Sequence, residues 1–260
     1  MNLFTTLIQG PLSASSPCLE KISTYREYGD VIISCYNSDV EAEDFPHKKI
    51  SGIPICTMDL PKIPPCNTVW LDGSTFYYAL STMYNGIQAV KTPYIIKTRT
   101  DEYWGTLDPF IKEFSKNDEN LVCGNIFCRV WSDFPFHFGD HIFVIKTAYL
   151  KVALESLLSD FRLGKDYSAF VPEGCLAVNL LSAMGVEPFK LTLEGYLNRV
   201  KIVDINSVGD FCASWRHSNQ NYINFFINPH GVYTNEDMLK GSRPLPNDVS
   251  FAFPQHEIED

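Results

Sequence analysis

Basic charge is scarce in this sequence. The 260 residues carry 21 Lys and Arg against 31 Asp and Glu, a formal net charge of -10 at pH 7. Nucleic-acid affinity rests on clustered cations that neutralise phosphates and release counterions, so the balance argues against a nucleic-acid partner. Long hydrophobic runs are missing as well. No stretch approaches the ~20 apolar residues of a membrane span, so no transmembrane segment is expected. The opening MNLFTTLIQGPLSASS lacks the basic segment and long apolar stretch of a secretory signal. Eight cysteines are present, at 18, 35, 56, 66, 123, 128, 175 and 212, but no CxxC pair occurs. That spacing argues against zinc ribbons and dithiol redox motifs and fits free thiols in a reducing compartment, so the expected location is cytoplasmic. Cys123 and Cys128 share the apolar run LVCGNIFCRV, and on one strand an odd offset of five predicts side chains on opposite faces. Three catalytic signatures are absent: the glycine-rich loop ending in Lys-Ser or Lys-Thr, the three spaced glycines of a dinucleotide site, and the GxSxG elbow of an α/β hydrolase.

What is present is an alternation of strand and helix patterns. With 45% hydrophobic residues the chain can bury one large core, and no repeat or low-complexity linker divides it. We expect one domain over residues 1–240, with a Pro-rich tail over 241–260. The strand LFTTLI ends at Gln9-Gly10-Pro11, a helical pattern covers Cys18 to Tyr28, and the strand VIISCY follows. This is the spacing of a right-handed βαβ unit, which requires a parallel sheet. The segment IPICTMDLPKIPPCNTVW is broken by prolines and allows at most an edge strand. A helix is predicted from Ser74 to Val90, then the strand TPYIIKT, a weaker helix LDPFIKEFSK, and strands LVCGNIF and HIFVIK. Helices over Ala148 to Leu158 and Gly174 to Met184 precede two short strands, EPFKLTL and RVKIVDI.

In open α/β sheets ligands sit beyond the carboxyl ends of the strands, so residues just after each strand carry the information. The first strand delivers Gln9 and Gly10. The second delivers Ser34, Tyr36, Asn37 and Asp39, and the third Arg99, Asp101 and Glu102. The loop before HIFVIK delivers His137, Asp140 and His141. The third end, YIIKTRTDEYW, closes a core strand on an arginine and two carboxylates. Asp101, alone or with Glu102, suits a hard divalent cation that would neutralise a diphosphate, and Arg99 suits a bidentate phosphate contact. The alternative is a solvated turn with local ion pairs.

Several runs carry a resemblance. STMYNGIQAVKTPYIIKTRTDEYW resembles the segment of GT-A glycosyltransferases in which a helix is followed by a strand and an Asp-x-Asp motif. TLIQGPLS, VIISCYNSD and STMYNGIQAVKTPYIIKTRTD together resemble the WavE-type lipopolysaccharide synthesis family, whose members are regarded as glycosyltransferases. The likeness covers residues 3 to about 185. It implies a GT-A-like, Rossmann-like α/β fold: a mostly parallel twisted sheet flanked by helices, with a smaller acceptor-side β region. It also implies a nucleotide-diphosphate sugar donor, a glycan or glycolipid acceptor, and Mn2+ or Mg2+ as cofactor, in the synthesis of lipopolysaccharide, capsule or a viral glycan.

Carried onto this chain, the resemblance makes Asp101 the second acidic position of the Asp-x-Asp motif and a metal ligand, while Arg99 stands at the first. That departure weakens the expected divalent site. Gln9 and Gly10 match the turn that approaches the nucleotide base. Ser34 and Tyr36 match the base and ribose pocket, where Tyr36 would stack on the base or simply pack at the rim. PEGCLAVNLLSAMG resembles the helix that opens with a Glu-Asp pair in inverting members; here the pair is Glu173-Gly174. Glu173 is the first candidate for the base that accepts the acceptor hydroxyl's proton, with Asp140 second. An acidic residue in a first helical turn also suits the helix dipole with no catalytic role. His217 is a candidate third metal ligand. The aromatic loop VWSDFPFHF suits either sugar stacking or packing. With one carboxylate lost at each motif, the alternative is a nucleotide-sugar-binding protein of the same fold without catalysis.

Overall fold

Hydrophobic alternation along the strands builds the architecture. The computed structural model describes residues 2–64, 75–126, 128, 131, 135–165, 167 and 170–213. Its seven-stranded sheet has the order β3-β2-β1-β4-β7-β6-β8, formed by β1 (Phe4–Gln9), β2 (Gly29–Tyr36), β3 (Ile55–Met58), β4 (Tyr94–Arg99), β6 (Leu121–Gly124), β7 (Gly139–Lys146) and β8 (Val200–Val203). All neighbours run parallel except β7, which is antiparallel to both β4 and β6. The α/β class, with a mostly parallel sheet flanked by helices, is therefore the one expected from the sequence.

Successive strand residues point to opposite faces, and each face has its own helices. Leu7, Ile32, Ile95, Phe143 and Ile145 join Leu80 and Met83 of α3 (Thr75–Ile87), Leu154 of α5 (Thr147–Arg162) and Leu176 of α6 (Pro172–Ala183). Ile8, Ile33, Ile96 and Val144 join Ile22 and Tyr25 of α1 (Ile22–Tyr28) and Phe110 and Phe114 of α4 (Asp108–Phe114). Each fully buried apolar side chain of this kind contributes about 1.5–3 kcal/mol. The short helix α2 (Asn37–Val40) follows β2, and the edge strand β3 falls in the proline-broken connector, as its prolines require.

A second, two-stranded sheet pairs β5 (Glu102–Trp104) with β9 (Phe211–Ala213), antiparallel. Its anchor is Trp104, fully buried. The Trp104 ring N–H donates to Thr98 Oγ1 at 3.1 Å and its main-chain N–H donates to the Tyr25 hydroxyl at 2.9 Å. Tyr25→Phe leaves that buried main-chain donor without its acceptor, and is expected to lower unfolding free energy by about 1–3 kcal/mol. Urea denaturation reads this directly; an unmoved midpoint would show that the N–H has another acceptor.

Two expectations need correction. EPFKLTL is not a strand: Pro188–Lys190 forms a 3-10 turn and Thr192 caps the helix α7 (Leu193–Arg199), its hydroxyl accepting from the Gly195 N–H at 3.2 Å. RVKIVDI does contain the expected strand, β8, which extends the main sheet beside β6, and the two-stranded sheet is built from β5 and β9. Cys123 and Cys128 do not point apart. β6 ends at Gly124 and the chain turns, so both thiols enter the same core cluster, the Cys128 thiol within reach of the Gly124 carbonyl at 3.4 Å. His217, the tail 241–260 and much of the loop VWSDFPFHF lie outside the described residues.

Candidate functional site

The sheet order sets the place. From β1 the chain moves outward to β2 and β3, then returns to the other side of β1 with β4, so the order reverses between β1 and β4. Beyond the carboxyl ends of that pair lies the crevice where open α/β sheets bind ligands. Gly10 stands at this point with φ of 125°, and a Cβ there would lie 2.8 Å from Thr100 Oγ1. Only glycine suits both demands. The Thr100 N–H donates to the Gln9 carbonyl at 3.1 Å and the Gly10 N–H to the Ser34 carbonyl at 3.0 Å, tying the ends of β1, β2 and β4 together.

β7 runs antiparallel to β4, so its first residues, Gly139, Asp140 and His141, arrive at the same end of the sheet as Arg99 and Asp101. Charged side chains converge there. The Arg99 guanidinium grips Asp101 with two bonds, Nε to Oδ1 at 2.9 Å and Nη2 to Oδ2 at 2.7 Å, and its Nε lies 3.3 Å from Glu102 Oε1. Glu102 is fully buried and also bonds His141 Nδ1. Burial pushes the Asp101 carboxyl up, but the Arg99 hydrogen bonds and charge outweigh it and hold it below the ordinary value. Arg99 and Asp101 are each about a third exposed and locked to one another, so Asp101 is not an open ligand.

The nucleotide-side candidates also come together, around helix α3. Gln9 Oε1 accepts from Thr82 Oγ1 at 2.8 Å, and Ser34, fully buried, donates to the Thr82 carbonyl at 2.7 Å. Tyr36 is 6% exposed and meets Tyr78 edge-on at 6.5 Å, and burial raises its hydroxyl pKa to about 12. Gln9 and Ser34 therefore sit beneath the crevice as a hydrogen-bonded floor, while Gly10 reaches its edge. Asp39 caps the end of β2, its Oδ2 accepting from the N–H groups of Tyr36 at 2.9 Å and Leu12 at 3.3 Å.

On the other side, Glu173 occupies the first turn of α6, where its charge suits the helix dipole. Its Oε2 also lies 3.6 Å from Nε2 of the buried His137. His137 follows Phe136, whose φ of 65° is unusual for a bulky residue. The buried Tyr196 hydroxyl donates to the carbonyls of His137 at 3.2 Å and Phe136 at 3.4 Å, holding this turn.

The site residue missed by sequence reasoning is Lys97, 1% exposed, its ammonium bonded to the Asp140 carbonyl and 3.9 Å from Asp140 Oδ2. The signal was legible: residue 97 shares a strand face with Ile95, and a lysine on a core-facing position is rarely idle. Burial lowers its pKa, partly offset by Asp140. Asp140 shows the reverse balance, since burial raises it while Lys97, then His141 and Arg99, hold it below the ordinary carboxylate value.

These residues, as placed, do not fit a divalent cation. Both Asp101 oxygens accept from Arg99, and Glu102 is buried against Arg99 and His141. Among the described residues no three Asp, Glu, His or Cys side chains converge as a metal site. Among the same residues no helix is long and apolar enough to cross a membrane.

No protein-family model matches the chain, and no curated protein matches it. Solved structures do superpose on it. Glucosyl-3-phosphoglycerate synthase from Mycobacterium tuberculosis, in complex with Mn2+, uridine diphosphate and glucosyl-3-phosphoglycerate, gives a TM-score of 0.48 at 9% identity over 94% of this chain and 81% of that one. The same enzyme with phosphoglyceric acid gives 0.49 at 9% identity, over 95% and 81%. With Mn2+, UDP-glucose and phosphoglyceric acid it gives 0.48 at 9% identity, over 92% and 77%. Likeness at this level says nothing of what this chain binds, because unrelated functions share such folds.

Proposed function

We propose that the chain is a glycosyltransferase that moves a sugar, a hexose in the simplest case, from a nucleotide-diphosphate sugar to a glycan or glycolipid acceptor. The observation that carries the reading is the meeting of Gly10, the Arg99–Asp101 pair and Asp140 at the one end of the sheet where such folds take ligands, with Glu173 tied to the segment before β7 through His137. The resemblance of the same segments to GT-A enzymes of lipopolysaccharide synthesis supports it; capsule and viral glycans are the other acceptor settings in keeping with that resemblance.

In this reading Gln9, Gly10, Ser34 and Tyr36 form the nucleotide side and Arg99 faces the diphosphate. Asp101 holds the guanidinium fork in place until a phosphate shares it. In transfer, the acceptor oxygen bonds the anomeric carbon as the bond from that carbon to the β-phosphate oxygen breaks. The nucleoside diphosphate leaves with the electron pair, and Glu173 or Asp140 takes the hydroxyl proton. Arg99 meets the charge that develops on the leaving group. No step here runs through a metal. One observation favours a second reading, a nucleotide-sugar-binding protein without catalysis: Asp101, the motif carboxylate, has both oxygens engaged within the protein.

A thermal-shift panel of UDP, GDP, CDP and dTDP and their sugars, with chelator, Mn2+ or Mg2+, tests the proposal. One nucleoside diphosphate is expected to stabilise the protein by roughly 2.7 kcal/mol at a hundredfold excess over its Kd. A shift that survives chelator assigns the diphosphate to Arg99. A shift that needs the cation means that Asp101 leaves Arg99 to bind it. Binding without turnover of any sugar donor selects the second reading, and no shift with any nucleotide sinks both.

A further inference from the structure

A fully buried lysine is costly, because its ammonium gives up water for a medium that solvates charge poorly. An apolar side chain would fill position 97 without that penalty, as Ile95 does two residues earlier on the same face. What the ammonium does there follows from the strand register. The β4–β7 pairing runs from Tyr94 opposite Lys146 to Lys97 opposite Phe143 and stops. Beyond it the first residues of β7 lack a β4 partner in the ladder, and the Lys97 ammonium takes over by donating to the main-chain carbonyl of Asp140. Its aliphatic stem lies within the core, the ammonium 5.6 Å from the centre of the Phe143 ring.

The same ammonium is 3.9 Å from the Asp140 carboxylate, which is 21% exposed and so reaches the end of the sheet where Arg99 and Asp101 stand. Asp140 is faced by Lys97 and Arg99 from β4, by His141 from its own strand and by His137 from the segment before it. Lys97 in turn faces Asp140, Arg99, Glu102 and Asp101. Of the two basic side chains of β4 around Asp140, Arg99 is already committed to Asp101 and Glu102. Lys97 is the one whose bonds go to Asp140.

We infer that Lys97 is a positioning residue of the site: its buried ammonium pins the start of β7 and keeps Asp140 charged and in place at the crevice. The inference rests on the reading of Asp140 as an acceptor-side carboxylate. It extends the site inward by one layer, from groups that touch substrate to the cation that sets the state of one of them. A neutral side chain of similar length preserves the packing but removes both the charge and the N–H donors, so Lys97→Met tests the ammonium apart from its aliphatic stem.

The test is carboxylate NMR titration of the full chain, wild type and Lys97→Met, with Asp140 assigned by Asp140→Asn, together with the pH profile of kcat/KM for whichever sugar donor the thermal-shift panel selects. An opposite charge at this range lowers a carboxylate pKa by about one to three units, so the Asp140 midpoint is expected to rise by at least about one pH unit in Lys97→Met. The acid limb of kcat/KM is expected to rise with it, because the carboxylate must be ionised to accept a proton. An unmoved Asp140 midpoint in a folded variant overturns the inference whatever the activity. A moved midpoint with an unmoved acid limb overturns the site role and leaves a structural pair. A moved midpoint in a protein that turns over no donor sinks the transferase reading and leaves the Lys97–Asp140 coupling standing. Should Lys97→Met fail to fold, the wild-type midpoint decides: a value at or above the ordinary ~3.9 for aspartate overturns the inference.

Discussion

Asp101→Asn is expected to cut donor turnover by about 100-fold or more, while the melting temperature stays within a few degrees of wild type. The asymmetry follows from where the pair sits. Arg99 and Asp101 are each about a third exposed, at the tip of the turn between β4 and β5. Partly exposed ion pairs of this kind stabilise a fold by ~1 kcal/mol at most, because water still competes for both partners. The carboxyl is held below its ordinary value and is charged at neutral pH, so the amide removes a full charge from the crevice.

Function depends on more than that charge. The two parallel bonds from Nε and Nη2 orient the guanidinium plane, and an amide, with a single acceptor oxygen, cannot accept both. In the proposed transfer, a displaced Arg99 would lose its alignment with the departing diphosphate, the step at which preorganised charge matters most. Activity within a fewfold of wild type, measured beside the melting curve, would remove Asp101 from the site.

Gly139→Ala is expected to destabilise the fold by about 3 kcal/mol and to disable the site with it. A Cβ at this position would lie 2.0 Å from the Gly124 carbonyl oxygen and 2.9 Å from that of Ile126, both main-chain atoms. Neither can move aside as a side chain would, so β6 and β7 must separate. The register between these strands already shifts at Cys123 and Gly124, opposite Gly139, where the irregularity brings the two backbones close. The residues displaced would be Asp140 and His141, which follow directly on β7 and bond Lys97 and Glu102. Denaturant midpoint and nucleotide-induced thermal shift are therefore expected to fall together. A variant of wild-type stability would show that the two strands can part without cost.

The position of the strand-end residues Gln9-Gly10, Ser34, Tyr36, Arg99 and Asp101 is legible in the sequence because they close apolar strands, and the strands place them at one end of the sheet. The reading failed where local pattern and tertiary demand part. EPFKLTL alternates well enough for a strand, but Pro188 and the Thr192 cap turn it into helical segments. LVCGNIFCRV is mostly apolar, but only its first four residues pair in the sheet, so the strand parity of its cysteines does not hold.

The amino-acid sequence by itself determined the α/β class, the two-faced alternation of the strands, the free thiols' lack of pairing motifs and the placing of polar residues at strand ends. These are consequences of periodicity and of turn chemistry, which act over a few residues. Tertiary structure alone decided which charges meet. Lys97 reaches Asp140 across 43 residues of chain and Glu102 reaches His141 across 39, because β7 runs antiparallel to β4 and brings its beginning to the other strand's end. Arg99 and Asp101, two residues apart, meet within the turn itself, whereas His137 reaches Glu173 of α6 across 36 residues of chain, 173 less 137. Spacing along the chain does not encode such pairs; the register of the sheet does.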